Sequence, residues 1–326
     1  MKNGKTAGTD GSSPLVSVVI PSYGRNDNLP EAIDSVIEQT YSPIELLIVD
    51  DGSPTPVTDT LPNLDFDRLD STTFIRHNEN RGANAARNSG IRAASGKYIA
   101  FLDDDDRWDE TKISRQVEAF ETGDSKIGVV YTGKKTTSPQ GTTVTKPTMR
   151  GDVMKDLLTG ESFGQFSSVM VRSAVIDEAG LPDERFPAWQ DREWFFRLAQ
   201  ECHFEPIPEP LTYRQVGHGD RITTQFEKRR DIAYPLFVEK HYPLAKQYGI
   251  YYARTFLAAL RTNLASSAVR ANEYGEARKY YLLAFAANPL FRPAHKHVLA
   301  SLGGKRTYDT AAKLRKKAIT VRTFFE

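Results

Sequence analysis

The stretch Tyr98–Glu110, "YIAFLDDDDRWDE", closes an apolar run with four consecutive aspartates, Asp103 to Asp106. Its reading decides the fold. Like charges packed at one point repel, so a carboxylate cluster calls for something positive among them. One acidic residue is explained by helix capping, and Trp108 to Phe120 has a helical pattern. Capping accounts for one aspartate and leaves the others. A divalent cation accounts for more of them, because hard metals take carboxylate oxygens.

Working outward, the acidic run ends one of several β-branched segments that alternate with helical patterns. "LVSVVIP" (15–21) reads as a buried strand and "NLPEAIDSVIEQT" (28–40) as the helix behind it. "IELLIVDDGS" is a second strand, "STTFIRHN" a third followed by the helix "GANAARNSGIRAAS", and "KYIAFLDDDD" a fourth followed by the helix from Trp108. Strands separated by helices pair in parallel, giving an α/β sheet with both faces covered. Ligands of such sheets bind beyond the carboxyl ends of the strands. Those ends deliver Pro21, Ser22 and Tyr23, then Asp50, Asp51 and Gly52, then Asn80, Arg81, Arg87 and Asn88, then the aspartates.

Beyond Phe120 the pattern is mixed. "IGVVYTG" reads as a strand, "KKTTSPQGTTVTKP" as a polar hairpin or loop, and "WQDREWFFRLAQE" as an amphipathic helix. From about residue 228 the signal is helical, and "EYGEARKYYLLAFAANP" resembles one tetratricopeptide-type unit. A single unit cannot bury itself, so it is expected to pack on the main domain. The 326 residues, 39% hydrophobic, support a substantial core, and a net charge of +1 gives no signal for a nucleic-acid partner. The single cysteine, Cys202, is read as packing filler. The first 14 residues read as a flexible tail without a signal peptide. No segment approaches a membrane span, which predicts a cytoplasmic chain. The basic, partly apolar segment "KRTYDTAAKLRKKAITVRTFF" is read first as a solvated helix face and second as a peripheral contact with an anionic membrane.

"VSVVIPSYGR", "IELLIVDDGS", "NENRGANAARNSGI" and "GKYIAFLDDDDRW" together resemble glycosyltransferase family 2, over roughly residues 15 to 215. The resemblance implies a GT-A fold: a mostly parallel central sheet flanked by helices, here with a helical C-terminal extension. It divides the chain into the tail (1–14), a GT-A domain (15–225) and the extension (226–326). It further implies an inverting transfer from a nucleotide-diphosphate sugar to a hydroxyl acceptor, assisted by Mn²⁺ or Mg²⁺. By that resemblance "LDDDD" is the DxD motif, with Asp103 at the ribose or metal, Asp104 at the variable position and Asp105 as metal ligand. Asp106 is left as a helix cap. Asp51 is placed to accept from uracil N3–H, with Asp50 shaping the turn, so a UDP-sugar is expected. Pro21 and Tyr23 border the base, and Arg87 serves base or diphosphate.

The same resemblance makes Asp191 of "WQDREWFFRL" the general base, with Gln190 where relatives carry Glu. A helix N-terminus is expected to keep its carboxylate charged. In "RQVGHGDRITT", His218 is assigned to the metal and Arg221 to phosphate, while the remaining histidines show no ligand spacing. The acceptor is expected to be a carbohydrate or lipid-linked sugar. "PSYGRNDNLP" lacks the glycine-rich loops of sugar nucleotidyltransferases and dinucleotide-binding oxidoreductases. The rival reading is a non-catalytic sugar-nucleotide-binding or scaffold protein with a degenerate site. Joint survival of Asp103, Asp105 and Asp191 speaks against it.

Overall fold

The computed structural model describes residues 13–24, 27–61, 64–139, 141–215 and 226–292. Strands β1 (Val16–Ser22) and β2 (Ile44–Asp50) are buried along their whole length, as continuous apolar runs in a doubly covered sheet must be. They pair in parallel with each other, β2 with β3 (Ser71–Arg76), and β1 with β4 (Tyr98–Phe101). Alternation along β1 sorts the two faces. Val16, Val18 and Ile20 pack with α1 (Leu29–Ile37) and α3 (Lys112–Thr122), while Val19 packs with α2 (Ala83–Ala93). Helix α2 lies so close to β1 that a Cβ on Gly90 would stand 2.3 Å from the Val19 side chain.

Past β4 the sheet becomes mixed. Strand β5 (Asp106–Trp108) is followed by β6 (Ile127–Ser138), which forms a hairpin with β7 (Gly141–Thr145). Helix α4 (Met154–Leu158) and a 3₁₀ turn (Phe166–Ser168) lead to β8 (Val169–Arg172) and α5 (Ser173–Ala179). Helix α6 (Gln190–Glu201) and β9 (His203–Gln215) complete the sheet, whose order is β3-β2-β1-β4-β8-β6-β9-β5. Strand β8 runs antiparallel to β4 and β6, β9 is parallel to β6, and β5 is antiparallel to β9.

The helical reading from Trp108 is corrected: the helix begins at Lys112, and Trp108 belongs to β5. Tertiary pairing overrides local propensity, because Asp106–Trp108 pairs with Thr212–Arg214 and the Trp108 indole donates to the Ser167 carbonyl at 2.7 Å. Asp106 is therefore no helix cap. The turn before α3 is held by Asp109, whose carboxylate accepts from the Thr111 hydroxyl (2.6 Å) and amide (3.1 Å).

The C-terminal region runs through a π-helical turn (Arg229–Ala233) into α7 (Tyr234–Gln247), α8 (Ile250–Arg270) and α9 (Tyr274–Ala287). The tetratricopeptide-like pair α8–α9 is one helical hairpin, and α8 packs on α4. Phe237 and Phe256 belong to the same core as Val19 and Trp194, with Phe237 edge-on to Phe196 at 5.2 Å. Among the described residues no helix is long and apolar enough to cross a membrane. Residues 1–12 of the expected tail, and the basic segment that begins at residue 305, lie outside the described residues.

Candidate active site

The carboxyl ends of β1 and β2 build the first wall. Pro21 and Ser22 are buried, and Tyr23 is 44% exposed at the rim. Asp50 turns inward and accepts from the Ser53 amide (2.8 Å), the Val57 amide (3.3 Å) and Arg76. Burial alone would raise its carboxyl, but these bonds and the Arg76 charge hold it below the ordinary range. Asp51 is equally buried. Its oxygens accept from His77 Nδ1 (2.7 Å), the Arg81 amide (3.0 Å) and the Gly82 amide (2.7 Å). Gly52 makes this turn possible: its φ is +74°, and a Cβ there would meet the Glu79 backbone at 2.6 Å. His77, which ligand spacing passes over, is the clamp: its Nε2 bonds the Ser89 hydroxyl at 2.8 Å.

The acidic run divides its labour. Asp104 turns back to β1 and accepts from the Ser22 hydroxyl at 2.9 Å. Asp103, Asp105 and Asp106 each bring a carboxylate oxygen to within 4.8 Å of the others. Asp106 is buried, accepting from the Ser167 hydroxyl at 2.6 Å and from the Gln165 amide, while its Oδ1 has no hydrogen-bond partner. Burial pushes its carboxyl up to about 7. The charges of Asp103 and Asp105 add to the rise, and Ser167 and Arg214 oppose it. An orphaned buried oxygen beside two further carboxylates is a donor set that fits a divalent cation. Asp106 thus joins the cluster from which the sequence reading omitted it. The signal that reveals it is cross-strand: Asp106 faces Arg214, more than a hundred residues away in the chain.

Arg87 ties the cluster to α6. It is 4% exposed, donates to Asp103 at 2.6 Å and to Gln190 Oε1 at 3.4 Å, and lies 3.9 Å over the Phe166 ring. Gln190 is fixed from its other end by donating to the Phe186 carbonyl at 3.1 Å. The neutral amide of Gln190 therefore accepts from Arg87 without competing with Asp103 for its charge. Asp191 follows in the first turn of α6, its Oδ1 accepting from the Arg192 amide at 2.7 Å. The helix terminus is expected to favour the charged form of this carboxylate, but the shift runs the other way. Burial outweighs the Arg192 amide and the Arg87 charge, Asp103 adds repulsion, and the carboxyl is raised above its ordinary value. A raised carboxylate is the more basic one, which suits proton abstraction.

Behind Asp191 stands a buried ion network that the sequence reading missed. Glu193 is fully buried and takes Arg197 through both oxygens (2.9 Å each), Lys240 at 2.7 Å and His241 at 3.3 Å. Lys240 also reaches Asp183 at 2.8 Å, and Arg197 donates to the Ala179, Gly180 and Leu181 carbonyls. The network pins the first turns of α6 to α7. Cys202 is buried with its thiol pushed up to about 12 by burial. His218 and Arg221 lie outside the described residues.

Residues 17–178 match the family model described as glycosyl transferase family 2. The chain is 40% identical over 221 residues to the Escherichia coli UDP-Glc:alpha-D-GlcNAc-diphosphoundecaprenol beta-1,3-glucosyltransferase WfaP, covering 66% of this chain and 82% of that one. It belongs to glycosyltransferase family 2. This family 2 enzyme is also 31% identical over 218 residues to an uncharacterized glycosyltransferase of Rickettsia felis, of whose length it spans 35%. Among solved structures, it resembles the mannosyltransferase PcManGT of Pyrobaculum calidifontis in complex with GDP-Man and Mn²⁺. The TM-score is 0.57 at 18% identity, over 95% of this chain and 87% of that one. Staphylococcus aureus TarS in complex with UDP-GlcNAc matches at TM-score 0.55 and 13% identity, over 87% and 90%. These likenesses establish the GT-A fold. The chain is thus a nucleotide-sugar glycosyltransferase of family 2.

Proposed function

We propose that this glycosyltransferase moves a sugar from a UDP-sugar to a hydroxyl of a carbohydrate acceptor, with inversion at the anomeric carbon and Asp191 as general base. The observation that carries the reading is the Arg87 bridge, which holds the acidic cluster and the start of α6 in one constellation. Tyr23 and Pro21 border the uracil, and the imide N–H takes the acceptor position that His77, Arg81 and Gly82 leave on Asp51. Asp103, Asp105 and Asp106 would hold Mn²⁺ or Mg²⁺, which would offset charge developing on the departing diphosphate. Asp191 takes the acceptor hydroxyl's proton as that oxygen attacks. Its raised carboxyl and its place outside the cation cluster support the role. His218 and Arg221 are assigned to metal and phosphate on the sequence alone.

The name of the E. coli relative pairs UDP-Glc with a diphospholipid-linked sugar, which supports a UDP donor and a lipid-linked acceptor handled by a peripheral enzyme at the cytoplasmic face. The proposed organisation is a GT-A domain over 15–225 with the extension packed on it. A non-catalytic scaffold is disfavoured, since Asp103, Asp105, Asp106 and Asp191 are all retained. Calorimetric binding of UDP, GDP and dTDP, each with and without Mn²⁺, tests the reading. Metal-dependent binding of UDP alone is expected. Preference for another nucleotide would overturn the assignment of Asp51, and binding of none would return the scaffold reading.

A further inference from the structure

Asp106 holds its two carboxylate oxygens on different terms. The residue is 2% exposed, and its Oδ2 accepts twice, from the Ser167 hydroxyl at 2.6 Å and from the Gln165 side-chain amide. A carboxylate oxygen has two lone pairs, so both of those on Oδ2 are taken. Its Oδ1 is buried without a hydrogen-bond partner among the described residues. An unsatisfied buried oxygen is costly, and this one belongs to the group that stands within 4.8 Å of carboxylate oxygens of Asp103 and Asp105.

Ser167 is braced so that this arrangement holds. Its side chain is fully buried, and its hydroxyl is committed in both directions: the proton goes to Asp106, and a lone pair accepts the Asp103 amide at 3.1 Å. Its carbonyl accepts the Trp108 indole N–H at 2.7 Å and the Thr212 hydroxyl at 3.3 Å, which ties the 3₁₀ turn to β5 and β9. The Trp108 ring is backed in turn by the Lys112 ammonium, 3.9 Å from its centroid, and that ammonium donates to Gln116 at 2.7 Å. Gln165 immediately precedes the same turn. Swinging the Asp106 carboxylate so that both oxygens face the cluster would break two hydrogen bonds and strand both donors.

Resting on the reading of Asp103, Asp105 and Asp106 as the cation site, we infer that Ser167 and Gln165 make Asp106 a one-oxygen ligand and thereby select Mn²⁺ and Mg²⁺ against Ca²⁺. Ca²⁺ gathers roughly six to eight oxygens and often grips a carboxylate by both, whereas Mg²⁺ takes few carboxylate oxygens and completes its shell with water and substrate phosphates. Selectivity between them is set by ligand number and flexibility. Asp103 acts in the same direction: Arg87 already donates to its Oδ1 at 2.6 Å, so a cation there competes with a guanidinium. A cluster that offers few oxygens, rigidly held, disfavours the larger cation. Ser167 and Gln165 are positioning residues that act through Asp106.

The test titrates the full chain with Mn²⁺ and with Ca²⁺, each with and without UDP, by calorimetry and by the electron paramagnetic resonance signal of free Mn²⁺. Wild type is expected to bind Mn²⁺ at least tenfold more tightly than Ca²⁺. Gln165→Leu and Ser167→Ala each free a lone pair on Oδ2 and are expected to cut that preference fivefold or more, with Mn²⁺ affinity falling while Ca²⁺ affinity holds or rises. Ser167→Thr keeps the hydroxyl and is expected to stay within twofold of the wild-type ratio. Gln165 is half-buried, so its variant reports even where loss of the Ser167 hydroxyl unfolds the protein. A merely structural role would lower both affinities in parallel, so an unchanged ratio in Gln165→Leu would overturn the inference. A wild type that binds Ca²⁺ as tightly as Mn²⁺ would overturn it too. A wild type that binds neither ion, with UDP or without, would overturn the cation site itself and the inference with it, which sets failure of that reading apart from failure of the selectivity.

Discussion

Replacing Glu193 by Gln should loosen helix α6 by an amount that the ion network sets. The side chain keeps its shape, and only the charge facing Arg197, Lys240 and His241 is lost. Burial works against the charged carboxylate, yet the nearby His241, Arg197 and Lys240 bring it down to about 2 from an ordinary 4.5. Such a lowering corresponds to a preference for the charged form of about 3 kcal/mol. Glu193→Gln is thus expected to cost about 3 kcal/mol of unfolding free energy at pH 7, at the lower end of what breaking a buried pair costs.

The pH dependence follows from the direction of the lowering. A carboxyl depressed in the folded state contributes fully above its unfolded value, and the contribution drains away as pH falls toward the folded one. For Glu193 that window runs from about 4.5 down to about 2. At pH 3 about 2 kcal/mol of the difference between wild type and variant should be gone. Urea denaturation of both proteins at pH 7 and pH 3 measures it, and the difference between them cancels groups that titrate alike in each. A cost below about 1 kcal/mol at pH 7, or a gap that does not narrow at pH 3, would refute the reasoning.

Three further outcomes are expected. Asp191→Asn should bind UDP and Mn²⁺ as wild type does and lose transfer by roughly a thousandfold or more, a general-base effect at the upper range; wild-type turnover should fall on acidification at a pH above the ordinary carboxylate range, since the raised carboxyl must be deprotonated to act. Asp105→Ala and Asp106→Asn should each erase the Mn²⁺-dependent part of UDP affinity and the melting-temperature gain from Mn²⁺; without metal, Asp106→Asn should melt higher than wild type at pH 8, because a carboxyl raised to about 7 opposes folding once it is charged. Gly52→Ala should cost about 1–3 kcal/mol in urea denaturation, because the positive φ and the Glu79 backbone leave no room for a Cβ.

The sequence by itself determined the parallel βα half of the sheet and the placing of its acidic ends. Runs such as "VSVVI" and "IELLIV" are apolar on both faces, and short-range pattern is enough to call a buried strand from that. Cys202 as filler was legible for a similarly local reason, while Asp50 as the turn builder came with the family resemblance. Only the tertiary structure decided the rest, because it depends on partners distant in the chain and on burial. Asp106 became a strand residue and a member of the acidic cluster through β9 and Ser167. Gln190 acquired its meaning from Arg87, about a hundred residues earlier, and Glu193 from Lys240 and His241 on a helix that the motifs do not reach. The rise of the Asp191 carboxyl turned on burial, which the order of residues along a helix does not encode.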